Sequence, residues 1–257
     1  MKVVRTIAEL RALLEPGGGS VGLVPTMGAL HGGHLALLEA ARAECDVVVM
    51  SLFVNPAQFG DPGDLERYPR DEARDLRLAD EAGVDVVFAP SAEEMYPPGF
   101  QTWVEVSELG SVLEGRFRPG HFRGVATIVL KLLLAVRPTH VYFGRKDAQQ
   151  VEVVRRMTRD LGVDVEVRAV ATVRDADGLA LSSRNVLLSR RERQRALTLP
   201  RALATKDAAR ARELLAEDGL TVDYVEVADF DPPVLAGAVR VGSTRLIDNV
   251  PLEGDEE

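Results

Sequence analysis

The chain has 257 residues, 46% of them hydrophobic and 28% charged, with a net charge of −9 at pH 7. That length supports one large domain or two modest ones, and the acidic balance lacks the basic face that non-specific nucleic-acid binding needs. No apolar run approaches a membrane span, Met1–Thr6 lacks the apolar centre of a signal peptide, and the single Cys45 leaves no internal disulfide, so the reading predicts a cytoplasmic protein with neither membrane nor nucleic acid as partner.

In chain order, the short β-branched runs predict strands at Val21–Val24, Val47–Phe53, Val84–Phe88, His140–Phe143 and Val165–Ala169. Between them the periodicity predicts helices over Gly33–Glu44, Asp71–Ala82, Gly124–Val136 and Ala148–Leu161. Strands alternating with helices of this length give βαβ units. The predicted fold class is therefore α/β, a Rossmann-like, mostly parallel sheet flanked by helices. After Thr172-Val173 the character changes. A turn-rich connector, Arg174–Gly178, leads to helical segments around Arg190–Leu199 and Arg201–Glu217 and to β-like runs at Val222–Val227 and Ala238–Ile247. Residues 1–174 are read as the Rossmann-like domain and 175–257 as a smaller C-terminal α+β domain, ending in a frayed acidic tail, Glu253–Glu257.

Pro25-Thr26-Met27-Gly28-Ala29-Leu30-His31-Gly32-Gly33-His34 stands where the first of these strands hands over to a helix. Free backbone N–H groups and the positive end of the helix dipole suit that place to phosphate, and an imidazole can donate to a phosphoryl oxygen. Packing or capping is the ordinary role of either histidine alone, but two of the four histidines in one glycine-flanked turn favour phosphate contact. The stretch Gly17–Gly22 also satisfies G-x-G-x-x-G, yet it precedes its strand instead of following it and reads as a plain loop.

Other strand ends carry further candidates. Asn55 and Gln58 are amides suited to hydroxyl and carboxylate groups. In Gly144-Arg145-Lys146-Asp147, a lysine at a helix start opposes the dipole, which points to function over stability; the alternative is a surface lysine. Asp147 is an N-cap or a ligand contact, and Gln150 lies one turn on. Leu181-Ser182-Ser183-Arg184 offers hydroxyls and a guanidinium to a triphosphate, although such loops are common. Leu113–Gly124 is the densest positive patch, either a loop that draws in anions or a solvated one. Cys45, in an apolar stretch, reads as a structural thiol.

Eight segments in order, from Pro25–His34 through Phe53–Phe59, Asp64–Arg70, Met95–Gly99, Arg118–Val125, Tyr142–Gln150 and Asp177–Asn185 to Thr244–Asn249, resemble the pantothenate synthetase (pantoate–β-alanine ligase) family of the HxGH-type nucleotidyltransferases. The resemblance implies condensation of (R)-pantoate with β-alanine through a pantoyl adenylate, with ATP as substrate, Mg2+ on its phosphates, and a cytoplasmic homodimer. It implies ATP contacts from Met27, Gly28, Ala29, Leu30, His31, Gly32, Gly33, His34, Gly144, Arg145, Lys146, Asp147, Val173, Leu181, Ser182, Ser183 and Arg184. His34, His31, Lys146 and Arg184 are the catalytic candidates. Gln58, Gln150 and Asn55 are the pantoate and β-alanine candidates, and Asp75 is the candidate metal ligand. The family's pattern often has other side chains where this chain has Leu181 and Arg145, positions at which backbone contacts suffice. Two rival readings are a related nucleotidyltransferase acting on a phosphorylated acceptor and a non-catalytic nucleotide-binding protein.

Overall fold

A computed structural model describes residues 1–15 and 18–253; Gly17 of the glycine stretch and the acidic tail from 254 lie outside the described residues. The chain forms two compact units, one of Met1–Phe143 with Val153–Val170, the other of Gly144–Glu152 with the residues from Ala171 onward. The sequence reading divides the chain once, after Arg174. Compactness divides it after Val170 and also assigns Gly144–Glu152 to the second unit, a detour that sequence order cannot display.

The first unit begins with a strand and helix that the sequence reading omits, β1 (Lys2–Val4) and α1 (Ile7–Leu14). β1 is a three-residue edge strand, too short to show a period. It exists because it pairs with a later strand, Lys2 opposite Val86. A capping box starts α1, with Thr6 accepting from the Glu9 N–H and the Glu9 carboxylate reaching back to the Thr6 N–H. β2 (Val21–Thr26), α2 (Gly32–Glu44) and β3 (Val47–Leu52) follow close to the predicted spans. Just before β2, the Ser20 N–H and hydroxyl both donate to Asp46.

After a 3-10 turn at Pro56–Gln58 come α3 (Pro62–Arg67), α4 (Glu72–Glu81), β4 (Val86–Phe88), α5 (Ala92–Met95), α6 (Glu114–Phe117), α7 (His121–Val136) and β5 (His140–Gly144). α8 (Ala148–Asp160), whose residues are divided between the two units, leads to β6 (Glu166–Val170). The sheet runs β1-β4-β3-β2-β5-β6, and β1–β4, β4–β3, β3–β2 and β2–β5 all pair in parallel. Strand order reverses between β2 and β5, so the Pro25–His31 loop leaves β2 at the switch point where such sheets bind ligands. Leu30, Leu37, Leu38 and Ala41 pack with Val24, Val48 and Met50 of the strands. Cys45 is buried with them, beside the Tyr142 hydroxyl at 3.4 Å, as a structural thiol.

In the second unit, α9 (Arg190–Ala196), α10 (Thr198–Leu203) and α11 (Ala208–Glu217) pack with the antiparallel sheet β7 (Thr221–Ala228), β8 (Val234–Val241) and β9 (Thr244–Pro251). The β-like run Ala238–Ile247 is a hairpin. Gly242 at φ +60° opens its two-residue loop, a geometry that glycine supplies at no steric cost. The predicted fold class is present, a parallel six-stranded sheet flanked by helices with a small three-stranded sheet after it. Among the described residues no helix is long and apolar enough to cross a membrane.

Candidate active site

The Pro25–His34 loop turns sharply after β2. Gly28 has φ +82° and Ala29 φ +52°, a left-handed pair in which only the glycine is at ease. The chain turns back into α2 at His31, which is the N-cap. His31 Nδ1 accepts from the Gly33 N–H at 3.1 Å, and His34 Nδ1 accepts from the His31 N–H at 3.3 Å. Two imidazoles thus perform the reciprocal task that a serine and a glutamate perform in an ordinary capping box. An imidazole that accepts at Nδ1 carries its proton on Nε2. The cap therefore fixes both rings as Nε2–H donors at a helix N-terminus, with ring centroids 4.1 Å apart. The capping and phosphate readings of these histidines are compatible, because each uses a different nitrogen.

Asp75 explains how the strained turn is held. Its carboxylate is buried, 1% exposed, and accepts from the N–H groups of Ala29 (2.9 Å) and Leu30 (2.8 Å). Arg74 adds a bond to the Leu30 carbonyl at 3.0 Å. A Cβ at Gly28 would lie 2.8 Å from Asp75 Oδ2, so the carboxylate also needs the glycine. Both oxygens of Asp75, the candidate metal ligand, thus accept from the loop backbone. Among the described residues no group of three or more His, Cys, Asp or Glu could hold a metal ion.

Asn55, one of the substrate-binding candidates, is likewise bonded within the protein. It is buried, 1% exposed; Nδ2 donates to Gln58 Oε1 (3.0 Å) and to the Gly124 carbonyl (3.1 Å). Its Oδ1 accepts from the Tyr96 hydroxyl (2.7 Å) and the Ala57 N–H (3.3 Å). A primary amide has two donors and two lone pairs, and all four are used inside the protein. The Asn55 amide thus bonds the Gln58 side chain directly. Burial pushes the Tyr96 phenol up to about 12, against the pull of its bond to Asn55. Gln58 Nε2 also meets Met27 Sδ at 3.0 Å, so the structure brings the substrate-amide candidate to the ATP-loop candidate.

The positive patch is exposed at Arg116 and Arg123 and built into the protein at His121. His121 is buried; its Nδ1 lies 2.9 Å from the Gln58 carbonyl and its Nε2 3.1 Å from Arg118 Nη1. Arg123 covers the Trp103 ring at 4.6 Å. Gly124 allows α7 to approach the Pro56–Gln58 turn, since a Cβ there would run into the Ala57 carbonyl. Gly124→Ala is expected to cost about 1–3 kcal/mol by overpacking, measured by urea denaturation; an unchanged midpoint would mean the turn yields without strain.

In the second unit, Lys146 occupies a 3-10 turn, Arg145–Asp147, ahead of α8. Its side chain is only 18% exposed and lies 3.6 Å from Asp147, which removes the surface-lysine reading. Val173 and Leu181 are joined by a backbone bond, Leu181 N–H to Val173 O at 2.9 Å. Ser182 caps the turn Ser183–Leu187 by accepting from the Arg184 N–H at 3.2 Å. Gln150 lies in the first turn of α8.

A family model described as pantoate-beta-alanine ligase matches residues 2–251. The chain belongs to the pantoate–β-alanine ligase family. It is 52% identical to a pantothenate synthetase of Heliobacterium modesticaldum, across 98% of this chain and all of that protein. It is 49% identical to a pantothenate synthetase of Pelotomaculum thermopropionicum over 97% of this chain and 98% of that protein. The crystal structure of a Thermus thermophilus pantothenate synthetase superposes with a TM-score of 0.92 at 48% identity, covering 99% of this chain and 100% of that one. A Francisella tularensis pantoate-β-alanine ligase, crystallised with β,γ-ATP and β-alanine, gives 0.90 at 33% identity with both chains fully covered.

In this member of the ligase family, sequence reasoning gave no sign of the bonds that Arg74, Tyr96, Arg118 and His121 make to the candidate site residues and their loops. Each acts on a backbone carbonyl or on another side chain far away in sequence. No local pattern announces such partners. The nearest signal was a polar residue at a helix start, as at Asp75, which spacing alone cannot separate from a metal ligand.

Proposed function

We propose that the protein is an ATP-dependent ligase that joins (R)-pantoate to β-alanine, giving pantothenate, AMP and pyrophosphate. The observation that carries this is the histidine cap of α2, two Nε2–H donors on a helix N-terminus within a chain matched to the family over 2–251. In the first step a pantoate carboxylate oxygen attacks the α-phosphorus of ATP in line. A P–O bond forms, the bond to pyrophosphate breaks, and charge grows on the phosphoryl oxygens. His31 and His34 donate to that charge, Lys146 and Arg184 balance it, and fixed donors of this kind stabilise the transition state without reorganising. In the second step the β-alanine amine attacks the acyl carbon, AMP leaves, and the amine gives up a proton.

ATP contacts come from Met27–His34, Gly144–Asp147, Val173 and Leu181–Arg184. Gln58 and Gln150 bind pantoate and border β-alanine, with Asn55 orienting Gln58. A magnesium ion bound with ATP would offset the charge of the phosphates, with Asp75 the candidate protein ligand. Residues 1–174 act as the ATP- and pantoate-binding part, 175–257 as a lid-like part, and the protein works as a cytoplasmic homodimer.

The test is pyrophosphate release from ATP. Release is expected to require pantoate, and added β-alanine is expected to yield pantothenate and AMP in equal amounts. Release with a phosphorylated alcohol and none with pantoate would replace this reading with the nucleotidyltransferase one, and ATP binding without turnover would leave a binding protein.

A further inference from the structure

The last segment of the family resemblance, Thr244–Asn249, has no role in the reaction described above. In β9 it breaks the alternation of a strand, because Asp248 and Asn249 are consecutive polar residues and both are buried, 3% and 5% exposed. Burying two such groups is costly unless their hydrogen bonds are met. They are met by the segments that carry the nucleotide candidates of the same unit. Asn249 Nδ2 donates to the Arg145 carbonyl and to the Lys146 carbonyl, both at 2.8 Å. Asp248 takes the Arg174 guanidinium in a two-pronged pair, 2.7 and 3.2 Å, next to Val173. Burial pushes the Asp248 carboxyl up, while Arg174 foremost, and the charge of Lys146 less, pull it down.

A single amide nitrogen that bonds two successive carbonyls does more than fill space. It fixes the two peptides on either side of Lys146, Arg145–Lys146 and Lys146–Asp147, which sets the direction in which the lysine leaves the backbone. We propose that Asn249 is a positioning residue whose side-chain amide locks the Arg145–Asp147 turn and thereby aims the Lys146 ammonium at the ATP phosphates. The inference rests on the assignment of Lys146 to those phosphates in the ligase reading. Asn249→Ala removes both donors and leaves the turn free to rotate. The chain fold is not built on them, since β9 keeps its ladder to β8 from Val241–Thr244 to Val234–Pro251.

The experiment is a double-mutant cycle on the full chain with Asn249→Ala and Lys146→Ala, read by pantoate-dependent pyrophosphate release. Asn249→Ala alone is expected to lower kcat about tenfold or more, with the KM for pantoate within about twofold, since small misplacements of a fixed charge cost this much. In the Lys146→Ala background the same change is expected to cost less than about twofold, because residues acting as a unit are not additive. An equal loss in both backgrounds would mean a merely structural role and overturn the proposal. If Asn249→Ala does not fold, Asn249→Ser, which keeps one donor, is run through the same cycle and judged by the same criterion. A wild-type chain that releases no pyrophosphate with pantoate refutes the ligase reading separately. In that event the cycle is read by affinity for a non-hydrolysable ATP analogue: a loss that vanishes with Lys146→Ala supports the positioning role, and unchanged affinity overturns it.

Discussion

His34→Ala is expected to lower pantoate-dependent pyrophosphate release about 100- to 1,000-fold, the range seen when one preorganised donor to a developing oxyanion is removed. The fold is expected to survive, because His34 is half-buried and its Nδ1 serves the helix start by accepting from the His31 N–H. Loss of that acceptor costs on the order of 1 kcal/mol, the worth of a cap. The second substitution separates the two duties of the ring. Glutamine is the ordinary partner at this position of a capping box, so His34→Gln is expected to regain thermal stability close to wild type. It does not restore an imidazole Nε2–H, so pyrophosphate release is expected to stay at least about tenfold down. Thermal denaturation and initial rates on the three proteins check both statements. Near-normal turnover in His34→Ala would remove the residue from the mechanism.

Asp75→Ala is expected to produce the largest loss of stability of any single change considered, about 3–5 kcal/mol, as when a buried charge-assisted network loses one side. The N–H groups of Ala29 and Leu30 would be left without this acceptor, and Ala29 would lose what holds it at φ +52°. For a chain of this size about 1 kcal/mol moves the thermal midpoint by roughly 2–4 °C. Asp75→Asn keeps the shape but turns one donor toward a donor, and it is expected to cost less stability and still lower turnover at least about tenfold. The discriminating measurement is a magnesium titration of activity. A carboxylate that anchors the loop changes kcat and the thermal midpoint and leaves the magnesium requirement where it was. A normal midpoint with a shifted magnesium requirement would assign Asp75 to the metal instead.

The alternation of elements was legible from the residues. Valine-rich runs such as Val47–Leu52 are buried on both faces and are read as parallel strands, and α2, α4, α7 and α8 came within three residues of their predicted spans. β1 was not legible, because it is an exposed three-residue strand stabilised by a partner more than eighty positions away. The β8–β9 hairpin was missed because Val241 and Thr244 flank a loop of only two residues. At the site, His31, His34, Gln58 and Lys146 could be named from their places at strand ends. The duties of Asp75, Asn55 and Asn249 could not, since a buried carboxylate or amide is defined by what it bonds.

By itself the sequence determined the fold class, the strand-to-helix turn that carries the histidines, and the family. Those depend on local period and on motifs whose spacing along the chain is the information. Only the tertiary structure decided which nitrogen of each imidazole holds the proton, that Asp75 and Asn55 turn inward, and that β9 holds the Lys146 turn. These depend on pairs such as Asp75–Ala29 and Asn249–Lys146, separated by 46 and 103 positions. A hydrogen bond forms between neighbours in space, and chain order does not record them.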